Sequence, residues 1–363
     1  MVRIGLAGLG KMGVSHLAIA RSHPNAELVA ICDSAAYMLD VLRKYTGLKT
    51  YSDYGKMIAD EALDAVIIAT PSRFHSDMVR AALDRNLHVF CEKPFCLDVR
   101  QGQELAELAV KRGRVNQVGY HYRFVGAFRE AKRLLDSGAI GRVHNVRAEA
   151  YGPVVIRPKN ATWRSQKTEG GGCLYDYACH VIDLVSYLVG TPERVSGTIL
   201  NKVFSQEVDD EVYTTLHLPK GISGQLACNW SDESVRKMET RVAIWGTNGR
   251  LIVDRQEIHL YVRHAANGST KPGWTVSSTT DLSRSPYYYL RGEEYSAQID
   301  HFFQCIESSA PSESSFASAV ATDEVIAMIL NDAVRPAAIP VLPDDVVRAP
   351  LRGFFARAKA HLS

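Results

Sequence analysis

Apolar Val2, Ile4 and Leu6 alternate with smaller residues, the pattern of a short buried strand, and Val14 to Ser22 then takes helical spacing through Leu17, Ala18 and Ile19. The same exchange of periods recurs. Leu28 to Cys32 reads as a strand, Asp53 to Ala62 as helical, and Ala65-Val66-Ile67-Ile68-Ala69 as a strand apolar on both faces. Leu87 to Cys91, a helical stretch through Leu105, Leu108 and Ala109, and Val115 to Gly119 continue the alternation. Strand and helix in turn predict α/β architecture with a doubly wound parallel sheet. Beyond Gly119 the pattern changes. Helical spacing over Gly126 to Ser137 and Leu174 to Val189 brackets a strand, Val143 to Tyr151. From Val195 strand follows strand (Glu211 to Leu218, Ser223 to Trp230, Thr240 to Trp245, Arg250 to Asp254, Glu257 to Arg263), with short turns such as Gly246-Thr247-Asn248-Gly249. That predicts a second, α+β domain built on a large, mostly antiparallel open sheet. Helical patterns at Tyr295 to Ile306 and Ser318 to Leu330 follow, and Pro336, Pro340 and Pro343 mark a boundary. The expected division is residues 1–120, 121–335 and a tail, 336–363.

Between the first strand and helix lies Gly8-Leu9-Gly10-Lys11-Met12-Gly13. In that setting Gly8 permits the turn, Gly10 lets the backbone approach a pyrophosphate, and Gly13 lets helix and strand pack closely. The second strand ends at Asp33, twenty residues beyond Gly13, where a carboxylate meets the adenosine ribose hydroxyls. Strand, glycine loop, helix, strand and acid together predict a dinucleotide site of Rossmann type. Asp33 repels a 2′-phosphate, and Ser34 and Ala35 offer no arginine to grip one, so the expected cofactor is NAD rather than NADP. Ligands of such sheets bind outside the carboxyl ends of the strands, where Gly8, Asp33, Thr70 and Lys93 all fall. Lys93 follows a buried strand and precedes Pro94, a setting in which a partly desolvated lysine can hold or polarise a reacting hydroxyl.

In the second domain the chemistry concentrates in Gly170-Gly171-Gly172-Cys173-Leu174-Tyr175-Asp176-Tyr177-Ala178-Cys179-His180-Val181-Ile182-Asp183. On a helix, Asp176 and His180 share one face. With the glycine loop, Ala69-Thr70-Pro71 with His75, and Glu92-Lys93-Pro94, this segment resembles the Gfo/Idh/MocA oxidoreductases, the family of glucose-fructose oxidoreductase and inositol 2-dehydrogenase. Ala178 stands where the family usually has glycine. The resemblance implies hydride transfer between a sugar or cyclitol carbon and the nicotinamide, with Lys93, Asp176 and His180 converging on that carbon. His180 would be the general base, its ordinary pKa near 6.5 suiting proton removal at neutrality. Asp176 would orient the sugar and Lys93 would hold the reacting oxygen. The cofactor set it implies is Gly8, Gly10, Lys11, Met12, Gly13, Asp33, Thr70, Pro71, His75, Glu92 and Lys93. To the substrate it assigns Lys93, His121, Arg123, Trp163, Arg164, Asp176 and His180. Many relatives carry asparagine where His121 stands.

Composition narrows the picture further. A net charge of +2 gives no field for nucleic acid or an anionic membrane. No apolar run approaches a membrane span, and the cysteines (Cys32, Cys91, Cys96, Cys173, Cys179, Cys228, Cys305) form no C-x-x-C pair, so reduced thiols, no metal and a cytoplasmic setting are expected. Arg157, Lys159, Trp163, Arg164 and Lys167, with a second group of Arg284, Tyr287, Tyr288, Tyr289 and Arg291, raise the possibility of a phosphorylated or nucleotide-linked sugar. An open sheet face needs covering, which predicts a homo-dimer or homo-tetramer. Two alternatives belong to the same resemblance: a redox-neutral, glycosidase-like use of NAD, and a non-catalytic dinucleotide-binding regulator. Retention of Lys93, Asp176 and His180 argues against the second.

Overall fold

A computed structural model describes residues 1–155, 163–265, 271–283 and 285–334. Arg157, Lys159, Arg284 and the tail 336–363 lie outside them, and with them much of the two basic clusters. In the first part, β1 (Val2–Ala7), α1 (Lys11–Ser22), β2 (Ala26–Cys32), α2 (Ala36–Thr46), β3 (Lys49–Tyr51), α3 (Tyr54–Asp60), β4 (Ala65–Ile68), α4 (His75–Asp84), β5 (His88–Cys91), α5 (Val99–Lys111) and β6 (Asn116–Val118) alternate. The strands form an all-parallel sheet of order β3-β2-β1-β4-β5-β6. Every residue of Ala65–Ile68 is buried, as the unbroken apolar run requires of a strand covered on both faces. The order reverses between β1 and β4, and that switch point is where such sheets open a crevice for ligands.

The second part runs α6 (Gly126–Asp136), β7 (Val143–Tyr151), α7 (Cys179–Leu188), β8 (Arg194–Asn201), β9 (Glu211–Leu218), β10 (Ile222–Asn229), β11 (Glu239–Gly246), β12 (Gly249–Val253), β13 (Glu257–Val262), β14 (Gly273–Ser278), α8 (Thr279–Leu282), α9 (Glu293–Ser308) and α10 (Phe316–Ala333). Its sheet has the order β14-β13-β12-β11-β7-β10-β9-β8, antiparallel throughout except where β10 lies parallel to β7. Alternation fixes the faces: Val146, Ala148, Ala150, Val242, Ile244, Leu251 and Val253 are buried, whereas Tyr261, Trp274 and Val276 stand exposed on the opposite face.

Chain order and packing diverge at α9. Its Ile299, Phe302 and Phe303 join Ile4, Leu6 and Phe90 in the core of the parallel sheet, so this late helix covers a face of the first sheet. The helix read as continuous from Leu174 is also not uniform, because Leu174–Ala178 forms a π-helical turn before α7 begins. Such turns cluster at functional sites, and this one carries Asp176.

Candidate active site

The glycine loop has the shape a dinucleotide requires. Gly8 has a φ of +94°, and a β-carbon there would strike the Ala69 carbonyl, while one on Gly13 would overlap the Gly8 carbonyl. The space over Gly10 is open. Asp33 closes the loop from the next strand, its Oδ2 accepting from the Leu9 N–H and its Oδ1 from the Ala35 N–H at 2.8 Å. An acidic residue held at this edge, beside a helix N-terminus framed by glycine, fits a dinucleotide with free ribose hydroxyls. Binding titrations are expected to give NAD+ a Kd at least about tenfold below that of NADP+, with Asp33→Ser narrowing the gap. Equal or tighter NADP+ binding by the wild type contradicts this.

Lys11 and Met12 open α1 beside this loop. Thr70 and Pro71 follow β4 at the same edge, but His75 does not face it. Its ring is buried, with Nδ1 2.9 Å from the Pro94 carbonyl and Nε2 3.0 Å from the Thr70 carbonyl. The resemblance placed His75 among the cofactor ligands, and the structure sets it between two backbone carbonyls, to one of which a neutral imidazole donates its single N–H. Glu92 is held at the same edge by a partner from α1. It is buried, and its Oε1 lies 2.6 Å from Nε2 of His16 on α1.

Lys93 reaches across to the second part of the chain. Its Nζ donates to Oδ1 of Asp176 at 3.0 Å and to the Asp176 carbonyl at 3.1 Å, while Arg164 Nε donates to Oδ2 of the same carboxylate at 2.8 Å. Burial by itself lowers the Lys93 ammonium, but Asp176 overrides it and holds the group above its ordinary value. Burial likewise pushes Asp176 up, and Lys93 and Arg164 together bring it down to about 2. Lys93 is therefore a charged donor and Asp176 an ionised acceptor at neutral pH. Trp163 flanks the Arg164 guanidinium, with its ring 4.8 Å away.

His180 completes the group in an aromatic nest: its ring centroid lies 4.9 Å from His121, 5.2 Å from Tyr122 and 6.0 Å from Tyr120. Burial, then Lys93, His121 and Arg255, press it well below 6.5, so it is neutral at pH 7 but a weaker base than the ordinary value near 6.5 promised. Among the described residues nothing hydrogen-bonds its Nδ1. His121 is a packing neighbour of this base. It stacks on Tyr295 at 4.6 Å, and burial lowers it to about 3.

Arg123, expected to touch substrate, does not reach the cleft. Both guanidinium edges are spent in the interior: Nε and Nη2 donate to Asp183 at 2.8 and 2.5 Å, and Nη1 donates to the Glu313 carbonyl. A bidentate pair with only 4% of the arginine exposed is a core fastening. In its place the structure brings Arg255, on the turn between β12 and β13, over the Tyr122 ring and into an ion pair with Glu294. No local motif marks Arg255, because the hairpin that carries it reaches the site only through the register of the large sheet.

The buried histidines set a pH dependence of stability. His75, His121 and His180 are all held below 6.5 by burial, so the unfolded chain binds protons that the folded chain refuses. Stability is full above the unfolded value of 6.5 and is lost as pH falls. Urea titrations between pH 6.5 and 5 should show a loss of at least about 1.4 kcal/mol per pH unit. A flat profile there contradicts the assignment.

Two family models, curated relatives and solved structures match the chain. A family model described as an oxidoreductase family with an NAD-binding Rossmann fold matches residues 2–120, and a GFO/IDH/MocA C-terminal domain matches residues 128–252. The scyllo-inositol 2-dehydrogenase (NAD(+)) of Bacillus subtilis (strain 168) is 28% identical over 85% of this chain and 86% of its own. The 2,7-anhydro-N-acetylneuraminate hydratase of Escherichia coli (strain K12) is 27% identical over 71% of this chain and 68% of its own. Among solved structures, a levoglucosan dehydrogenase complex with NADH and levoglucosan shares the fold, with a TM-score of 0.81 at 24% identity, covering 92% of this chain and 96% of that one.

Proposed function

The chain belongs to the GFO/IDH/MocA family of NAD-binding oxidoreductases, and from that premise we propose that it interconverts a secondary alcohol and a ketone on a sugar or cyclitol. One observation carries the reading: a charged lysine from the cofactor-binding sheet, paired with Asp176, lies within electrostatic reach of a neutral buried histidine, His180, from the second part of the chain. When bound, NAD supplies the hydride acceptor. The reacting hydroxyl lies between Lys93 Nζ and the His180 ring. His180 takes its proton, and the Lys93 ammonium donates a hydrogen bond to the oxygen as it gains alkoxide character. Asp176 keeps Lys93 in place and accepts from a neighbouring hydroxyl. In the reducing direction His180 returns the proton. Burial of the group excludes competing water.

The balance of charge supports an uncharged polyol over the phosphorylated or nucleotide-linked sugar that the basic clusters brought to mind. Four cations near the site have carboxylate partners, Lys93 and Arg164 on Asp176, Arg255 on Glu294 and Arg73 on Glu169, while Arg291 lies over the Tyr295 ring. Paired in this way they suit hydroxyl recognition more than capture of a free anion. A screen of sugars, inositols and sugar nucleotides with NAD+, followed at 340 nm, tests the assignment. The polyols are expected to give the highest kcat/KM, and a sugar nucleotide exceeding them overturns this substrate class.

The similarity to a hydratase favours a second reading, in which oxidation and re-reduction occur within one turnover. That route converts substrate without accumulating NADH, so product analysis beside the 340 nm trace separates the two. For assembly, we propose that copies of the chain pair through the exposed face bearing Tyr261, Trp274 and Val276. Light scattering should then report a dimer or tetramer, and Trp274→Lys should reduce it to smaller species. No helix among the described residues is long and apolar enough to cross a membrane.

A further inference from the structure

We propose that His16 is a positioning residue which, by holding the Glu92 carboxylate beside the nicotinamide position, makes the protein bind the oxidised cofactor more tightly than the reduced one. The inference rests on the nicotinamide cofactor and not on the identity of the sugar. His16 lies on α1, three residues past the last glycine of the loop, and is wholly buried. Its Nε2–H donates to Glu92 Oε1 at 2.6 Å, its ring meets Phe90 edge-on at 5.1 Å, and among the described residues its Nδ1 has no partner. The contact with Glu92 is therefore its single polar engagement. A histidine buried for packing alone has no reason to bring an unsatisfied nitrogen with it.

Glu92 immediately precedes Lys93 and follows β5 at the edge where ligands of such a sheet bind. The hydride acceptor must lie close to the substrate carbon whose oxygen Lys93 and His180 would hold, which puts the nicotinamide within reach of this carboxylate's field. Its surroundings are defined on every side: His16 from α1, the Lys93 N–H at 3.3 Å, His121 and Tyr295 from across the cleft, and Gly119 beneath. A β-carbon on Gly119 would sit 2.9 Å from Oε2, so the carboxylate occupies space that any other residue there would fill. Burial raises Glu92, and the His16 hydrogen bond, His121 and Lys93 more than reverse it, leaving it ionised.

Lys93 and Arg164 share the one carboxylate of Asp176, so that cluster keeps a unit of positive charge of its own, and Glu92→Gln isolates what the Glu92 charge contributes beside it. The nicotinamide ring is cationic in NAD+ and neutral in NADH, so a fixed carboxylate nearby stabilises the first and leaves the second almost unaffected. Glu92 is the source of the field and His16 fixes where it points.

The test needs no substrate. Dissociation constants for NAD+ and NADH are measured by calorimetry on the full chain and on Glu92→Gln, His16→Phe and His16→Gln, with thermal melts to confirm folding. Removing the charge in Glu92→Gln should raise the ratio Kd(NAD+)/Kd(NADH) by about tenfold. His16→Phe keeps a ring but loses the donor and should raise it in the same direction, whereas His16→Gln, whose amide can still donate to Glu92, should stay near the wild type. A ratio within about twofold of wild type in Glu92→Gln overturns the field, even if both constants weaken together. An unchanged ratio in a folded His16→Phe overturns the role of His16. If His16→Phe does not fold, a ratio in His16→Gln as disturbed as in Glu92→Gln overturns that role instead. Because only cofactor is present, a mistaken sugar assignment leaves these outcomes untouched.

Discussion

Replacing Lys93 with methionine is expected to lower kcat/KM by about a thousandfold while the protein stays folded and continues to bind NAD+. Methionine preserves the length and most of the volume of the lysine stem, so packing between Pro94 and the cleft changes little. What disappears is the donor that faces the developing alkoxide. Asp176 loses one of its two cations and keeps Arg164, which stops the carboxylate from becoming an unpaired buried charge. Lys93→Arg is not a conservative rescue. A planar guanidinium presents its charge over a wider fork, and Asp176 already receives one from Arg164. The measurement is steady-state kinetics on the best substrate of the screen, with NAD+ affinity determined separately. If kcat/KM falls by less than tenfold, Lys93 does not hold the reacting oxygen.

The largest effect on stability lies one segment away. Arg123→Met is expected to destabilise the fold by about 3–5 kcal/mol, because Asp183 then remains in the interior without its bidentate partner. Only 1% of the Asp183 side chain is exposed, so water cannot replace the lost contacts. The Glu313 carbonyl loses a donor as well. Replacing both members, Arg123→Met with Asp183→Leu, should recover much of the loss, since a well-packed apolar pair removes the uncompensated charge. Urea denaturation at pH 7 measures both variants, with the midpoint moving at constant m-value. A loss below about 1 kcal/mol for Arg123→Met shows that the pair is not a fastening of the core. At a temperature where the variant is folded, KM should stay near the wild-type value, as expected of a residue that does not meet substrate.

Arg123 also marks the limit of what the sequence could convey. The first sheet was legible because its signals are local: the run Ala65 to Ala69 is apolar throughout, the glycines stand between a strand and a helix, and Asp33 ends the next strand. That Asp176 and His180 lie four residues apart on one helical segment was legible for the same reason, even though the π-helical turn beneath Asp176 leaves no mark in hydrophobic periodicity. Residues whose roles depend on partners far along the chain were not. The motif spacing that led to Arg123 was sound, but its partner Asp183 lies sixty residues away, and only the fold decides whether an arginine faces a cleft or a core. His16 and Glu92 are separated by seventy-six residues, and Arg255 arrives on a turn of the second sheet. The strand Gly273–Ser278 was missed because it is a solvent-facing edge, where Trp274 and Val276 are exposed and no buried alternation announces it.

The account turns on one cleft, with Lys93 on one wall and Asp176 and His180 on the other. Its most direct test is NADH formation at 340 nm from the best polyol of the screen by the wild type and by Lys93→Met, at NAD+ concentrations that saturate both. Steady NADH production is expected of the wild type and a rate reduced about a thousandfold in the variant, with NAD+ affinity within about threefold. NADH production by Lys93→Met at a rate close to that of the wild type would contradict it.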